Sequence, residues 1–395
     1  MATSVAAWQR ASRALLAGNF AIGCGVMVVA GSLNDISRSL AISPAVAGQL
    51  ITAGAVAMGL GAPLLAAALG GWDRRKLLTL ALVCYALGHA AAALVPGFAA
   101  LLPVRVLGVL GAAVFTPQAA AAIGVLAPAE RRGRAITTVF LGWSLASVLG
   151  MPAAGLVAET LGWRWAFWGV AVLSALCALW VWRAVPNGVR PPALSLASWR
   201  TALTNPVLMG IVLVTALGAA GQFTLFSYFA PYFRSALGAG PAQMSLLFFW
   251  FGAFGFIGNV LLSRHVDRIG AARGVAMALS LIALSLALWP LTGANALLGG
   301  TLGMAVVLVP WALGCFASNS AQQARLSQAS PALAPALMAL NTSAIYGGQA
   351  VGAAGGGALL AAHGFGPLPW AGLAWLIAAL VLSAWAARRM MQAHV

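Results

Sequence analysis

The sequence predicts an all-α membrane protein of about 12 transmembrane helices, arranged as two pseudo-symmetric bundles of six. Three observations support this fold class: long uncharged apolar runs, a one-sided distribution of cations and a weak internal repeat. Hydrophobic residues make up 62% of the 395 residues and charged residues only 7%. In a soluble domain about a quarter of the residues are charged, so this composition excludes a soluble fold.

The uncharged runs give the helices in order. About 20 apolar residues are needed to cross the hydrocarbon core of a bilayer as a helix. Each run reaches roughly that length, and the last two are each long enough for two helices. The runs are 14–34, 39–72, 77–104, 106–129, 135–158, 165–182, 201–233, 235–263, 274–324 and 326–387.

The cations orient these helices. Of the 21 lysines and arginines, all but Arg38, Arg105, Arg164 and Arg234 fall on the side of the N-terminus under this assignment. Because positively charged loops remain in the cytoplasm, we expect both termini to be cytoplasmic. The net charge of +16 does not indicate a nucleic-acid partner, since the cations are scattered between apolar runs and a phosphate backbone needs a contiguous basic patch.

Motifs that carry chemistry are sparse. The cysteines Cys24, Cys84, Cys177 and Cys315 lie in apolar runs without a CxxC pair, and no histidine cluster has metal-ligand spacing. We therefore expect no disulfide, no metal and no cofactor. The sequence also lacks a GxSxG or HExxH motif and an ATP-binding motif, so we expect neither an enzyme nor direct ATP drive.

A polar segment rich in proline and glycine divides the chain near its midpoint. We predict an N-terminal bundle over 1–184, a cytoplasmic linker over 185–205 and a C-terminal bundle over 206–395. The two halves share a weak repeat, in which the spacing of Gly155 and Gly162 recurs in Gly357 and Gly364. Repeated six-helix units are what certain transporters use to place a binding site at the membrane midplane.

Several ordered motifs resemble those of a known family. They lie at 61–65 with 73–78, at 105–108 with 111–113, at 142–155 and at 267–273. With them the chain resembles the major facilitator superfamily, and most closely its bacterial drug, sugar and arabinose-like efflux branch of proton antiporters. It departs from the family pattern at Gly70, Asp73, Gly25 and Val26, where the family has an aspartate, a glycine and an acidic pair.

The resemblance implies the major facilitator fold, a monomer, and a multi-pass location in the bacterial cytoplasmic (inner) membrane. It further implies export of small organic solutes or drugs by proton antiport, with rocker-switch alternating access. A uniporter or importer of a neutral or anionic metabolite on the same fold stays an alternative. Since the cavity is expected to hold no carboxylate, neutral solutes, or anions that pair with Arg105, suit it better than lipophilic polycations.

Polar side chains inside the spans are candidates for the cavity wall. An unsatisfied amide in lipid costs several kcal/mol and therefore points inward. In this superfamily the first, fourth, seventh and tenth helices line the cavity and the eleventh borders it. Hydrogen bonding between helices is an equally good reading for any single one of these residues. The candidates are Asn19, Arg105, Gln118, Gln222, Tyr228, Trp311, Asn319, Asn341, Tyr346 and Gln349.

Three ionisable residues are candidates for proton coupling: Arg105, His89 and Asp35. Arg105 is the only charge deep within a span, so it acts either in function or as a structural donor to backbone carbonyls. His89 titrates near neutral pH when unperturbed, although a neutral histidine bonded to a neighbour is the alternative. Asp35 lies at the non-cytoplasmic end of its span, where it either gates a vestibule or is simply solvated.

Charged loop residues are candidates for gating. The resemblance implies that the two loop motifs exchange charge contacts between the bundles. The alternative is loop anchoring, which is worth less than about 1 kcal/mol for an exposed pair. These residues are Asp73, Arg74, Arg75, Asp267, Arg268 and Arg273.

Overall fold

A computed structural model describes residues 5–128, 132–190, 196–293, 299–330 and 333–392, and in this part of the chain all regular secondary structure is helical. The helices are α1 (Val5–Ser39), α2 (Pro44–Ala68), α3 (Arg74–Leu94), α4 (Phe98–Leu126), α5 (Arg132–Leu145), α6 (Met151–Leu161), α7 (Trp163–Ala184), α8 (Leu196–Thr204), α9 (Pro206–Phe226), α10 (Phe229–Leu237), α11 (Pro241–Ile269), α12 (Ala271–Leu288), α13 (Gly300–Ala329), α14 (Ala334–His363) and α15 (Leu368–Gln392).

The described helices confirm the predicted fold class. Eleven helical segments are long and apolar enough to cross a membrane. Three of them are composite: α5 and α6 join through a π-helical turn at Ala146–Gly150, α9 continues into α10, and α12 continues into a 3-10 turn at Trp289–Thr292. The twelfth membrane-length helix is α14, which has 30 residues and carries more glycines than α13 or α15.

Polar residues begin several of these helices where the sequence leaves an apolar run. Ser43 accepts from the backbone N–H of Val46 at 3.2 Å at the start of α2. Asn205 accepts from the N–H groups of Val207 and Leu208 at the start of α9, at 3.0 and 3.1 Å. Each cap satisfies donors that a first helical turn leaves free, and a proline follows both caps, where its missing N–H costs nothing.

The helices form an N-terminal bundle (α1–α7) and a C-terminal bundle (α9–α15). The bundles meet where α2 packs on α14 and where α11 packs on α6 and the π-helical turn. At the second contact Gly252 lies so close to the backbone of Ser147 that an added Cβ would fall under 3.0 Å from it. Pro152 follows the π-helical turn and has no N–H to donate, which is a common cause of such local irregularity in a helix.

We propose that the bundles are divided at 184 and 206. The helix α7 ends at Ala184, α9 begins at Pro206, and α8 lies between them.

The sequence repeat has a structural counterpart. Gly162 ends α6 with φ +99°, and Gly364 ends α14 with φ +71°. Backbone with positive φ favours glycine because no Cβ is present to clash. A glycine with positive φ therefore ends the helix before the last helix of each bundle, although α7 begins directly after Gly162 and α15 begins four residues after Gly364.

Within the C-terminal bundle, α14 packs closely on α9. Three glycines four residues apart face α9, and an added Cβ at each would lie under 3.0 Å from a carbonyl oxygen of that helix. Small residues at this spacing allow the backbones of membrane helices to approach. The pairs are Gly348 with Ala216, Gly352 with Ala220, and Gly356 with Thr224.

Candidate functional site

A cavity of about 650 Å³ lies between the two bundles. This volume falls in the range of sites that hold small organic molecules. The described residues lining the cavity include amides, hydroxyls, aromatic rings and aliphatic side chains, but no aspartate, glutamate, lysine, arginine or histidine. Any solute bound here is held by apolar contact and neutral hydrogen bonds.

The two walls differ in polarity. The C-terminal bundle supplies all the lining amides, which are Gln222, Asn259, Asn319, Gln322, Gln323 and Gln349. The N-terminal bundle supplies mainly apolar and aromatic side chains, among them Val26, Met27, Ile136, Phe140 and Trp143, together with a few hydroxyls. The cavity is therefore amphipathic from one bundle to the other.

The ends of the molecule are distinguished by their charges. The arginine-rich end carries Arg74, Arg75, Arg190, Arg268 and Arg273, and the opposite end carries Asp35, Arg38, Glu159, Arg164 and Arg234. The cavity reaches toward the arginine-rich end, because its lining includes Val266 near the end of α11, Ser327 near the end of α13 and Met338 near the start of α14.

At the opposite end, charged side chains join the bundles. Glu159 on α6 pairs with Arg234 on α10, and Arg38 on α1 lies 3.9 Å from the same carboxylate. The Glu159 side chain is 5% exposed although both arginines are largely open to solvent. One shielded carboxylate thus holds cations from both bundles.

Neutral hydrogen bonds add to this closure. The Asn34 amide of α1 donates to the carbonyl of Ala230 on α10 at 2.9 Å. The Ser245 hydroxyl of α11 donates to the carbonyl of Pro152 on α6 at 3.3 Å. These hydrogen bonds and the ion pair of Glu159 with Arg234 join the bundles at this end, so the structure is closed there.

Four of the ten predicted cavity residues line the cavity: Gln222, Asn319, Tyr346 and Gln349. The others lie beside it or between helices. Trp311 is buried and donates its Nε1–H to Gln222 Oε1 at 3.3 Å. Asn341 is buried and donates to Asn319 Oδ1 at 3.3 Å. Both residues orient amides of the wall.

Asn19 supports the wall of the other bundle. Its amide donates to the Val139 carbonyl at 3.0 Å and accepts from the Thr116 hydroxyl at 2.8 Å. Thr116 in turn accepts from Trp143 Nε1 at 3.3 Å. This chain fixes the indole of Trp143 at the cavity surface.

Two further predicted cavity residues are buried in helix contacts. Gln118 is 8% exposed on α4 and lies outside the cavity lining. Tyr228, at the break between α9 and α10, donates its hydroxyl to the Ala353 carbonyl at 2.8 Å. The same ring packs on Gly48 of α2, where an added Cβ would fall under 3.0 Å from it. Tyr228 is therefore a contact between the bundles.

The structure differs from the sequence-based expectation for Arg105, which does not line the cavity. Its guanidinium is buried at 4% exposure within the N-terminal bundle. It donates to the Gly25 carbonyl at 2.8 Å and the Val26 carbonyl at 3.3 Å, and its Nη1 lies 3.0 Å from His89 Nε2. The guanidinium therefore faces the α1 carbonyls of Gly25 and Val26, and residue 25 has no side chain that could stand between Arg105 and these carbonyls.

His89 completes this contact. Its Nδ1 lies 2.9 Å from the Tyr85 carbonyl, which only accepts, so Nδ1 carries the proton. Its Nε2 then presents a lone pair to Arg105. A neutral imidazole in this tautomer satisfies both partners. Side chains of α3 occupy the space beside Gly25. An added Cβ on Gly25 would lie 2.7 Å from His89 Nε2 and even closer to the Tyr85 hydroxyl.

Asp35, the third proton-coupling candidate, lies at the opposite end. Its carboxylate accepts from Arg38 at 2.6 Å and from the backbone N–H of Trp163 at 2.7 Å. Trp163 is the first residue of α7, so Asp35 satisfies a free donor of that helix end. This contact joins α1 and α7 of one bundle.

The predicted gating residues make contacts within the N-terminal half. Asp73 caps α3 by accepting from Lys76 N at 3.2 Å and accepts from Gly188 N of the linker at 2.5 Å. Arg74 donates to the carbonyls of Trp72 and Gly70 at 2.7 and 3.2 Å. These bonds anchor the loop in this state.

The remaining gating candidates are Arg75, Arg268, Arg273 and Asp267. The Arg75 guanidinium stacks 4.1 Å from the centre of the Trp182 ring. Arg268 and Arg273 are exposed. The side chain of Asp267 lies outside the described part of the structure, so its role in gating stays a prediction.

Two lining amides on α13, Gln322 and Gln323, are not among the candidates from the sequence. Asn319, Gln322 and Gln323 are spaced i, i+3 and i+4, which places them on one helix face. Only Asn319 was selected, whereas all three line the cavity. The helical spacing was the signal that identifies the other two.

Comparison with known proteins places this architecture in a family. The family model described as Major Facilitator Superfamily matches residues 15–353. The inner membrane transport protein YdhP of Escherichia coli (strain K12) is 30% identical over 93% of this chain and 94% of its own length. A chloramphenicol resistance protein of Streptomyces lividans is 34% identical over 63% of this chain and 64% of its own.

Solved structures share the fold. The crystal structure of a POT family transporter in complex with 5-aminolevulinic acid superposes with a TM-score of 0.77, covering 95% of this chain and 95% of that one at 13% sequence identity. The family match, the helix count and the cavity between paired bundles agree. The chain belongs to the Major Facilitator Superfamily of membrane transporters.

Proposed function

We propose that this protein is a secondary transporter that exports small neutral organic solutes from the bacterial cytoplasm by rocker-switch alternating access. The observation that carries the proposal is the uncharged cavity between the bundles, closed at the opposite end and extended toward the arginine-rich end. A site between two bundles that close at one end at a time is the arrangement alternating access requires.

The positive-inside rule makes the arginine-rich end cytoplasmic. Both termini then lie in the cytoplasm, and the cavity in this state takes up solute from the cytoplasmic side. The names of two relatives, an inner membrane transport protein and a chloramphenicol resistance protein, support export across a bacterial inner membrane. The protein acts as a monomer in this proposal, since each chain supplies both walls of its cavity.

We assign proton coupling to the pair of His89 and Arg105 rather than to a cavity carboxylate. Protonation of His89 Nε2 would place a proton and a positive charge against the guanidinium 3.0 Å away. Like charges at this distance repel, so Arg105 would leave the α1 carbonyls of Gly25 and Val26. The proton would thereby change the packing of α1 on α4.

The proposal is tested with purified protein in proteoliposomes, using chloramphenicol as a neutral probe and an aryl bis-quaternary ammonium as a dicationic probe. A pH gradient should drive movement of the neutral probe against the protons, and an uncoupler should abolish it. The variant His89→Gln should keep binding and lose the pH dependence. Equal transport of the dication, or gradient-driven transport that survives His89→Gln, contradicts the corresponding part of the proposal.

A uniporter or importer is the second candidate. Gly25 and Val26 occupy the positions where the family resemblance implies an acidic pair, and this observation favours transport without proton coupling. Such a protein would equilibrate the neutral probe at the same rate with and without a pH gradient. Net accumulation against a concentration gradient would exclude it.

A further inference from the structure

We propose that Gln322 is the hydrogen-bond acceptor for substrate, and that the transported solutes are neutral and amphipathic. They carry an O–H or N–H donor at one end and an apolar ring or chain at the other. This inference rests on the proposed function, whose site it describes. It starts from a chain of hydrogen bonds in the C-terminal wall.

The orientation of the Gln322 amide is fixed by its partners. Its Nε2 donates to the Ile211 carbonyl at 2.8 Å and to the Thr215 hydroxyl at 3.0 Å. A carbonyl only accepts, so a flipped amide would set two acceptors against each other. The Thr215 hydroxyl donates a hydrogen bond to Asn341 Oδ1 at 2.6 Å. The hydroxyl is therefore an acceptor toward Gln322, which fixes the direction of this series of hydrogen bonds.

This arrangement leaves one buried acceptor of a lining residue without a partner. Gln322 Oε1 has no hydrogen-bond partner among the described residues, and the residue is 3% exposed. Gln322 nevertheless lines the cavity. Buried acceptors almost always have a partner, and both N–H groups of the amide are already used. The missing partner is therefore a donor, and we infer that a solute in the cavity that Gln322 lines supplies it.

The facing wall sets the rest of the substrate. Phe140 and Trp143 line it together with Ile136 and Met27, and Trp143 is held in place by its bond to Thr116. Aromatic and aliphatic surfaces favour apolar groups through burial. A solute that spans the cavity would place its donor on Gln322 and its apolar part on this wall.

The absence of charge in the described lining excludes the ionic alternatives. An ammonium group would find no carboxylate, and a carboxylate would find no guanidinium, because Arg105 is turned toward α1. An ion that enters a low-dielectric site without a counter-charge pays a large desolvation cost. A neutral donor loses only its hydrogen bond to water, which Gln322 replaces.

The experiment compares each donor with its blocked analogue. Binding to full-length protein in lipid nanodiscs is measured for chloramphenicol and for a panel of neutral aryl alcohols, each paired with its methyl ether. Wild type should bind the alcohols about three- to tenfold more tightly than the ethers, the range of one neutral hydrogen bond. Gln322→Met should weaken alcohol binding to the level of the ether and leave ether binding unchanged. Gln392→Met, an exposed residue at the end of α15, is the matched control.

Each outcome decides between the claims. If no alcohol binds wild type better than its ether, the acceptor is occupied by water only and the inference is overturned, whatever the variant does. If wild type discriminates and Gln322→Met discriminates equally, Gln322 is not the acceptor. If discrimination disappears as expected but proteoliposomes show no export, the proposed function fails and the assignment of Gln322 stands.

Discussion

Glu159 of the N-terminal bundle is paired with Arg234 of the C-terminal bundle, and the carboxylate is shielded while the guanidinium is 41% exposed. The pair lies at the end where the bundles are closed. Two cations share this one acid, because Arg38 lies 3.9 Å from it. The contact is present only while this end is closed, so it stabilises the present state relative to a state open at the opposite end.

Removing this pair should shift the protein toward the other state. Because Arg234 is largely exposed, we expect Arg234→Gln to cost about 0.2 to 1 kcal/mol, which raises the open population up to about fivefold. The measurement is labelling of Ala30→Cys, at the cavity surface, by an impermeant thiol reagent added at the opposite end, in a cysteine-free background.

Arg164→Gln is the matched control, because Arg164 lies at the same end but donates to the Val95 carbonyl of its own bundle. It should leave the labelling rate unchanged. An equal increase with both substitutions would mean that surface charge, and not the contact between bundles, sets the rate.

The packing of α14 on α9 gives a stability prediction. At Gly352 an added Cβ would lie under 3.0 Å from the Ala220 carbonyl, whereas at Gly355 it would meet nothing within 4 Å. Overpacking costs about 1 to 3 kcal/mol, so Gly352→Ala should lower the thermal stability of the detergent-solubilised protein. Gly355→Ala, three residues away on the same helix, should not lower it. Equal melting temperatures for both variants would contradict the close packing.

Much of this fold is predictable from the sequence because the constraint is energetic. Charges are excluded from hydrocarbon, so uncharged runs mark the spans, and the run 326–387 is long enough for both α14 and α15. Even α14, whose glycines and amides lower its hydropathy, follows from this count. The recurring spacing of Gly155 and Gly162 in Gly357 and Gly364 predicts a repeat, and the structure shows that Gly162 and Gly364 each end a helix with positive φ.

The site was less predictable, since a span shows which residues it contains but not which face they occupy. Asn19 and Asn341 point inward as expected, yet both bond to neighbouring helices rather than to the cavity. Arg105 was expected at the cavity, but the space beside Gly25 brings it to the backbone of α1. Helices buried on several sides offer polar residues several partners, and only packing decides among them.

The burial of Arg105 away from the cavity predicts that its removal affects the transport of all probes alike. Arg105→Ala would leave His89 Nε2 without a donor, at about 1 to 3 kcal/mol for a buried group, and would remove the side-chain bond to the Gly25 carbonyl, which keeps its backbone bond within α1. Thermal stability should fall, and transport of neutral and anionic probes should fall in the same proportion. Measuring both probes in one proteoliposome preparation checks this, since a selective loss of the anion would show that Arg105 reaches the solute.

The crowding at Gly25 predicts that an acidic residue there is not tolerated alone. An added Cβ would lie 2.7 Å from His89 Nε2 and closer still to the Tyr85 hydroxyl, so Gly25→Asp must displace a buried ring. We expect a loss of stability of at least about 1 to 3 kcal/mol and reduced yield. Combining Gly25→Asp with His89→Ala removes one of the two crowding rings, leaving that of Tyr85, and places the new carboxylate near Arg105, where opposite charges attract.

The double variant should therefore be more stable than Gly25→Asp, although His89→Ala alone should be less stable than wild type because it removes a partner of Arg105. Thermal unfolding of the four proteins forms a double-mutant cycle, and the expected coupling is favourable by more than about 0.5 kcal/mol. Additive effects would show that His89 does not occupy the space that a side chain at residue 25 needs. A favourable coupling would mean that His89 and a side chain at residue 25 compete for the same space.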